Sequence, residues 1–267
     1  GTTWFDRTNY FQNVPAPALD MVLWMESDRM GHFINAVTQD TLDEQRDVVK
    51  NEKRQGDNRP YGKAQYAQLA AMFPAGHPYS WSTIGSMEDL EAASLADVKE
   101  WFTRFYGAAN ATLVIAGDVD PQQVFTKVNH YFGDIASGPA LNKQERWIAK
   151  RHDTRRELMF DDVPQTRLTR AWNTPPFGDE EHLALQLVAS VLAQGKNSRL
   201  YQRLVYQEQL ATSVVAAQQG FEIAGMFEIE VYLKPNANLE QVEALLTEEV
   251  ELLLKKGVSH KELERVK

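Results

Sequence analysis

Thr212–Leu233, TSVVAAQQGFEIAGMFEIEVYL, is the stretch on which the fold turns. Apolar and polar residues alternate on either side of Gly220 and Gly225, as in strands with one buried face, so the stretch predicts an antiparallel hairpin. Just upstream, DEEHLALQLVASVLA from Asp179 predicts a helix, and SRLYQRLVYQ from Ser198 a shorter one. Downstream, Leu239–Lys255 has the spacing of a long amphipathic helix, closed by Gly257 as a C-cap. Ser259 caps a last helix that runs toward Lys267. Before the first helix, Leu158–Trp172 predicts two short strands around Val163-Pro164.

The first half uses the same grammar. TTWFDRTNYFQNV, Thr2–Val14, is rich in β-formers and predicts a strand, ended by Pro15 and Pro17. Ala18–Phe33 carries a helical stripe through Leu19, Met21, Val22, Trp24, Met25, Met30 and Phe33. Thr41 and Glu44 fit a capping box that opens a helix through QRDVVKNEKRQ, stopped by Gly56 and Pro60. Further helices are expected over Lys63–Phe73, from Ser94 to Tyr106, and from Pro121 to Phe132. ATLVIA, Ala111–Ala116, predicts a buried strand. Two halves that both run strand, helix, helix, strand, helix predict an α+β protein of two related domains. Each is a mostly antiparallel sheet with helices packed on one face. The expected division is a first domain over 1–137, a linker over 138–157 with Gly138-Pro139 and a basic cluster, and a second domain over 158–267.

Composition narrows the function. The 267 residues carry 28 Lys+Arg against 37 Asp+Glu, a net charge of −9. That acidity argues against nucleic-acid binding, which needs a basic footprint. No apolar run approaches the roughly 18–20 residues of a membrane span. There is no Cys, which excludes disulfides, thiol catalysis and Cys-ligated metals. Any metal must therefore be held by His, Asp or Glu.

No G-x-S-x-G elbow, P-loop, G-x-G-x-x-G or H-E-x-x-H is present. The six His, at 32, 77, 130, 152, 182 and 260, are too scattered to bind one metal from a single helical turn. Asp179-Glu180-Glu181-His182 reads as a capped, acid-rich helix start, and His77 as a loop residue. Asp28-Arg29 reads as a local ion pair. Ser198-Arg199 reads as a helix start, with Arg199 a minor candidate for anchoring substrate. Glu52 lies three and four residues after Val49 and Val48, beside an apolar stripe. On this reading it is either a solvated rim acid or a metal ligand.

The strings TTWFDRTNYFQNVP, ALDMVLWMESDRMG, LDEQRDVVKNEKRQG, GSMEDLEAASLADVKEWFTRFYGAANATLVIAGDVD and NSRLYQRLVYQEQLATSV resemble, in order, the pitrilysin/insulinase family of zinc metallopeptidases. These are the H-x-x-E-H inverzincins. The resemblance implies a zinc (Zn) site of two His from that motif plus a Glu from a later helix. It aligns Glu52, in VVKNE, with that third ligand. It places the motif, with the catalytic Glu, before Gly1, so no catalytic residue is expected in this chain, which is expected to be inactive and metal-free by itself. It implies that peptide substrate adds as a strand along Gly1, Thr2, Thr3 and Trp4, although a plain strand there is an equal alternative. Some relatives carry another Glu where this chain has Gln45. The family's Arg and Tyr, seven residues apart, align with Val205 and Thr212, which implies a completing half in the same polypeptide or a partner subunit. The resemblance also leans toward the periplasm of a Gram-negative bacterium. The alternatives are a non-catalytic structural or partner subunit, or a peptide-binding module.

Overall fold

The hairpin forms, and a third strand joins it. The computed structural model describes residues 1–267. Its strands are β1 (Thr2–Trp4), β2 (Arg7–Asn9), β3 (Arg167–Thr174), β4 (Ala211–Gly220) and β5 (Gly225–Leu233). Its first helices are α1 (Leu19–Gly31), α2 (Gln39–Asp57), α3 (Ala64–Met72), α4 (Met87–Ala92) and α5 (Leu95–Phe105). They are followed by α6 (Pro121–Phe132), α7 (Glu180–Ala193), α8 (Leu239–Lys256) and α9 (His260–Val266). A π-helical segment spans Tyr201–Gln207. No helix is long and apolar enough to cross a membrane. The chain divides into two units, Gly1–Asp57 with Thr83–Lys143, and Asn58–Ser82 with Gln144–Lys267.

The second unit is built on an antiparallel sheet of order β3-β5-β4. The alternation along β5 sets its two faces. Phe227, Ile229, Val231 and Leu233 join Leu192, Leu200, Leu204, Val242, Leu246 and Leu253 in one buried cluster under α7, the π-helical segment and α8. The alternate residues line the other face, which the 58–82 segment covers with polar contacts. Gln68 Nε2 donates to Glu228 Oε2 at 2.7 Å, and the Tyr61 hydroxyl donates to the Gln165 carbonyl at 2.6 Å. Arg167 pairs with Glu230 at 3.1 Å and stacks on the Tyr61 ring. At the start of β5 a Cβ on Gly225 would lie 2.5 Å from the Pro175 carbonyl oxygen and 2.9 Å from that of Gln219. Only glycine fits between those backbones.

His77 lies in a loop, as expected, and is fully buried there. Its Nδ1 accepts from the Tyr79 amide at 3.0 Å, so Nε2 carries the proton and donates to the Trp147 carbonyl at 2.8 Å. Phe73 stacks on its ring. The loop reading of His77 holds, since it lies outside any helix or strand, and the aromatic cluster adds the burial that the residue type did not announce.

In the first unit, α1 and α6 lie together with a Lys127–Asp20 ion pair between them. Capping is written plainly in the sequence here. Ser94 and Asp97 form a complete capping box at α5, and Asp120 accepts from the Gln123 amide at α6.

Several expectations need correction. Thr2–Val14 is not one strand: the chain turns through Asp6, whose φ is 65°, and folds back as β1 and β2. Aspartate tolerates that left-handed backbone better than most residues, which lets a two-residue turn form. Helix α2 begins at Gln39 rather than after Thr41, because the Thr38 amide and the Thr41 hydroxyl bond at 2.9 Å and start the helix earlier. Glu44 closes no capping box. Ala111–Ala116 forms no strand and is not buried: Val114 is 79% exposed. Of the two strands expected over Leu158–Trp172 only the second forms, as β3. High β-propensity does not make a strand where no neighbour supplies a ladder. Arg29 pairs with Glu26 at 3.5 Å, not with Asp28, since i,i+3 neighbours face each other on a helix and adjacent residues do not.

Candidate functional site

Helix α2 has one tethered side and one open side. On the tethered side, Arg46 donates through Nε to the Leu90 carbonyl at 2.9 Å and through Nη2 to the Ala93 carbonyl at 2.6 Å. It thus satisfies orphan carbonyls at the C-terminus of α4. A third donor, Nη1, meets Asp43 at 2.5 Å, and Lys50 pairs with Glu91 at 2.9 Å. The helical period puts Asp43, Arg46 and Lys50 on one side and Thr41, Gln45, Val48 and Glu52 on the other. The latter four are all exposed.

Glu52 is therefore presented, not packed. The cations beside it in sequence are engaged elsewhere: Lys53 with Asp57 at 3.5 Å, and Arg54 with the Asn51 side chain at 2.8 Å. Its carboxylate has no hydrogen-bond or ion-pair partner. Glu44 and Asp47 are unpaired as well, so freedom alone does not single it out. Its distinction is its place one turn after Val48, which is 44% exposed, on the side of α2 that no other element tethers. The apolar stripe seen in the sequence is thus half in solvent.

The residues present do not form a zinc site by themselves. No group of three or more His, Asp or Glu is arranged to hold a metal ion. A hydrolytic zinc centre takes three protein ligands, and this chain brings at most one to the open side of α2. Gly1 and the strand Thr2–Trp4 are exposed, and β1 is paired along one edge only, with Thr3 opposite Thr8.

Other sequence candidates have structural employment. His182 lies buried, with Nδ1 3.2 Å from Gln218 Nε2 and its Cε1 2.3 Å from where a Cβ on Gly220 would sit. Thr212 donates to Gln165 Oε1 at 3.0 Å, and Val205 sits within the π-helical segment. Arg199 is not free to anchor a substrate. Its Nε and Nη2 grip both oxygens of Glu262 at 2.6 and 2.8 Å, beside a cavity of about 280 Å³ that is also lined by Arg203, Glu249 and Lys256. Sequence reading missed this pair, although the Ser259-x-x-Glu262 box announces a fixed carboxylate.

That pair makes a pH prediction. The Arg199 guanidinium, aided by the Ser259 amide and hydroxyl, holds the Glu262 carboxyl at about 2, down from 4.5. A lowered folded-state pKa stabilises above the unfolded value, and the contribution disappears as pH falls from about 4.5 through 2. Burial raises Glu249, which acts in the opposite direction over the carboxylate range. Glu262→Gln should lower stability by about 1–2 kcal/mol at pH 7, allowing for solvent screening, and by much less near pH 2. Urea unfolding of both proteins across that range reads the difference; a pH-independent gap would contradict the assignment.

The comparisons with known proteins agree with this architecture. Residues 92–267 match the family model described as peptidase M16 inactive domain. The zinc protease PqqE of Helicobacter pylori is 26% identical over 269 residues, covering 100% of this chain and 60% of its own length. A non-peptidase homolog, YmxG, of the same species is 22% identical over 72% of this chain and 44% of its own length. A solved protease structure from H. pylori superposes with a TM-score of 0.79 at 24% identity, over 95% of this chain and 62% of the other. The chain thus spans about 60% of the length of the curated relative that matches all of it. With the family model matched over residues 92–267, about two thirds of its length, this chain belongs to the peptidase M16 inactive-domain family.

Proposed function

We propose that this chain is the part of a zinc-dependent metalloendopeptidase that contributes one metal-ligating carboxylate, Glu52, and a second, non-catalytic peptidase-like domain. A first peptidase-like domain over 1–137 carries Glu52, and the non-catalytic one spans 158–267. The observation that carries the reading is the unpartnered Glu52 carboxylate on the open side of α2, together with a curated relative named a zinc protease. The remaining ligands and the general base come from residues outside this chain. Peptides or unfolded segments pair with the free edge of β1 at Gly1–Trp4, where main-chain hydrogen bonds give affinity with little sequence demand. The completing half, in the same polypeptide or a partner subunit, supplies the guanidinium and phenol that Val205 and Thr212 cannot.

The test is peptide cleavage by the longer polypeptide, with zinc, before and after Glu52→Gln. A second reading, a non-catalytic partner subunit, has support from the relative named a non-peptidase homolog. Under that reading the longer polypeptide cleaves nothing and the exchange changes nothing.

A further inference from the structure

The segment 155–161, upstream of β3, has unmet bonding capacity. No backbone N–H or C=O group of residues 155–161 has a hydrogen-bond partner, and the segment is neither helix nor strand. Its middle is apolar and exposed: Leu158 is 71% exposed, Met159 50% and Phe160 90%. Such a row of free donors and acceptors beside large apolar side chains is a template for another strand.

The charges select which strand. In Arg155-Arg156-Glu157-Leu158-Met159-Phe160-Asp161-Asp162 the basic end precedes the apolar centre and an acidic end follows it. Two copies laid antiparallel therefore bring opposite charges together, and two copies laid parallel bring like charges together. A two-fold axis through such a ribbon pairs only residues on the same face, so paired positions are an even number of residues apart. Centred on Leu158, this sets Arg155 opposite Asp161, Arg156 opposite Phe160, Glu157 opposite Met159, and Leu158 opposite itself. Each pair occurs twice except the last. No like charges face each other, and Arg156 over Phe160 is a cation–π arrangement. Moving the centre to Met159 sets Glu157 opposite Asp161, a repulsive pair.

The acidic groups are available for this. Asp161 is bonded only to the amide of Asp162. Arg155 pairs within the segment, with Glu157, and can bridge it to the second copy's Asp161. Arg156 reaches Glu243 on α8 at 2.8 Å, which holds that end of the segment against the helix.

We propose that residues 155–161 pair antiparallel with the same residues of a second copy of this chain, centred on Leu158, and so make a two-fold dimer. Sedimentation velocity of the 267-residue chain over about 1–100 μM, at about 0.15 M salt to keep exposed charges partly unscreened, reads the assembly. The wild-type chain goes from monomer to dimer in that range. Arg155→Asp and Asp161→Arg each weaken the dimer by about tenfold or more, because each places like charges opposite one another. The double exchange restores it, since the pairs are opposite in sign again. Both substitutions fall on exposed residues outside any helix or strand. A wild-type chain that stays monomeric throughout, single exchanges that leave the dimer intact, or a double exchange that does not recover it would each overturn the proposal.

Discussion

Glu52→Gln in the longer polypeptide should abolish peptide cleavage, with a loss of well over 100-fold, while the fold keeps its stability. Two features make this a sharp test. Glu52 is exposed and bonds to nothing, so the neutral, nearly isosteric glutamine removes no contact. Surface changes of that kind stay within about 0.5 kcal/mol. Altering an outer-shell partner of a metal ligand typically costs about 10–100-fold in affinity or activity, so loss of a ligand itself should cost more. Activity and thermal unfolding measured on the same preparation separate the two. Wild-type turnover would remove Glu52 from the site; a large loss of stability would mean that it has a structural role this structure does not contain.

The largest stability effect is expected at the centre of the second unit's sheet. Ile229 is fully buried on β5, between Arg170 on β3 and Ala216 on β4, and its side chain belongs to the cluster that includes Leu192, Leu204 and Leu246. Ile229→Ala should destabilise that unit by about 2–5 kcal/mol, since the lost transfer energy is joined by a cavity that flanking strands cannot close. Val215, on the neighbouring strand, is 47% exposed, and Val215→Ala should cost under about 1 kcal/mol. Urea denaturation of the pair checks the contrast. Equal losses would mean that the sheet buries the opposite face.

What could be read from sequence was local. Ser94, Pro121, Gly257 and Ser259 each mark a helix end through chemistry confined to a few residues, and each mark held, whereas the box expected of Thr41 and Glu44 did not. The alternation of β5 was legible for the same reason: one face of the strand meets one core. What failed depended on partners distant in sequence. ATLVIA has every propensity of a strand and no ladder to join. His77 is a loop residue as expected, but its burial comes from Phe73, Tyr79 and Trp147 closing around it. Arg46, which fixes α2 against α4, is one of several charges in a polar helix, and nothing local says that its guanidinium reaches Leu90 and Ala93. Glu52 could be placed on its helix from spacing. Spacing left it either a solvated rim acid or a ligand, and the structure exposes it beside Val48, which is nearly half in solvent.

The account rests on Glu52 being one ligand of a metal site that this chain does not complete. Calorimetric titration of zinc into the 267-residue chain and into its Glu52→Ala variant tests that most directly. A lone exposed carboxylate should bind zinc weakly, so the two titrations should be indistinguishable, with no tight one-to-one site in either. A tight single site in the wild-type chain, lost in the variant, would contradict the account by showing that these residues hold the metal unaided.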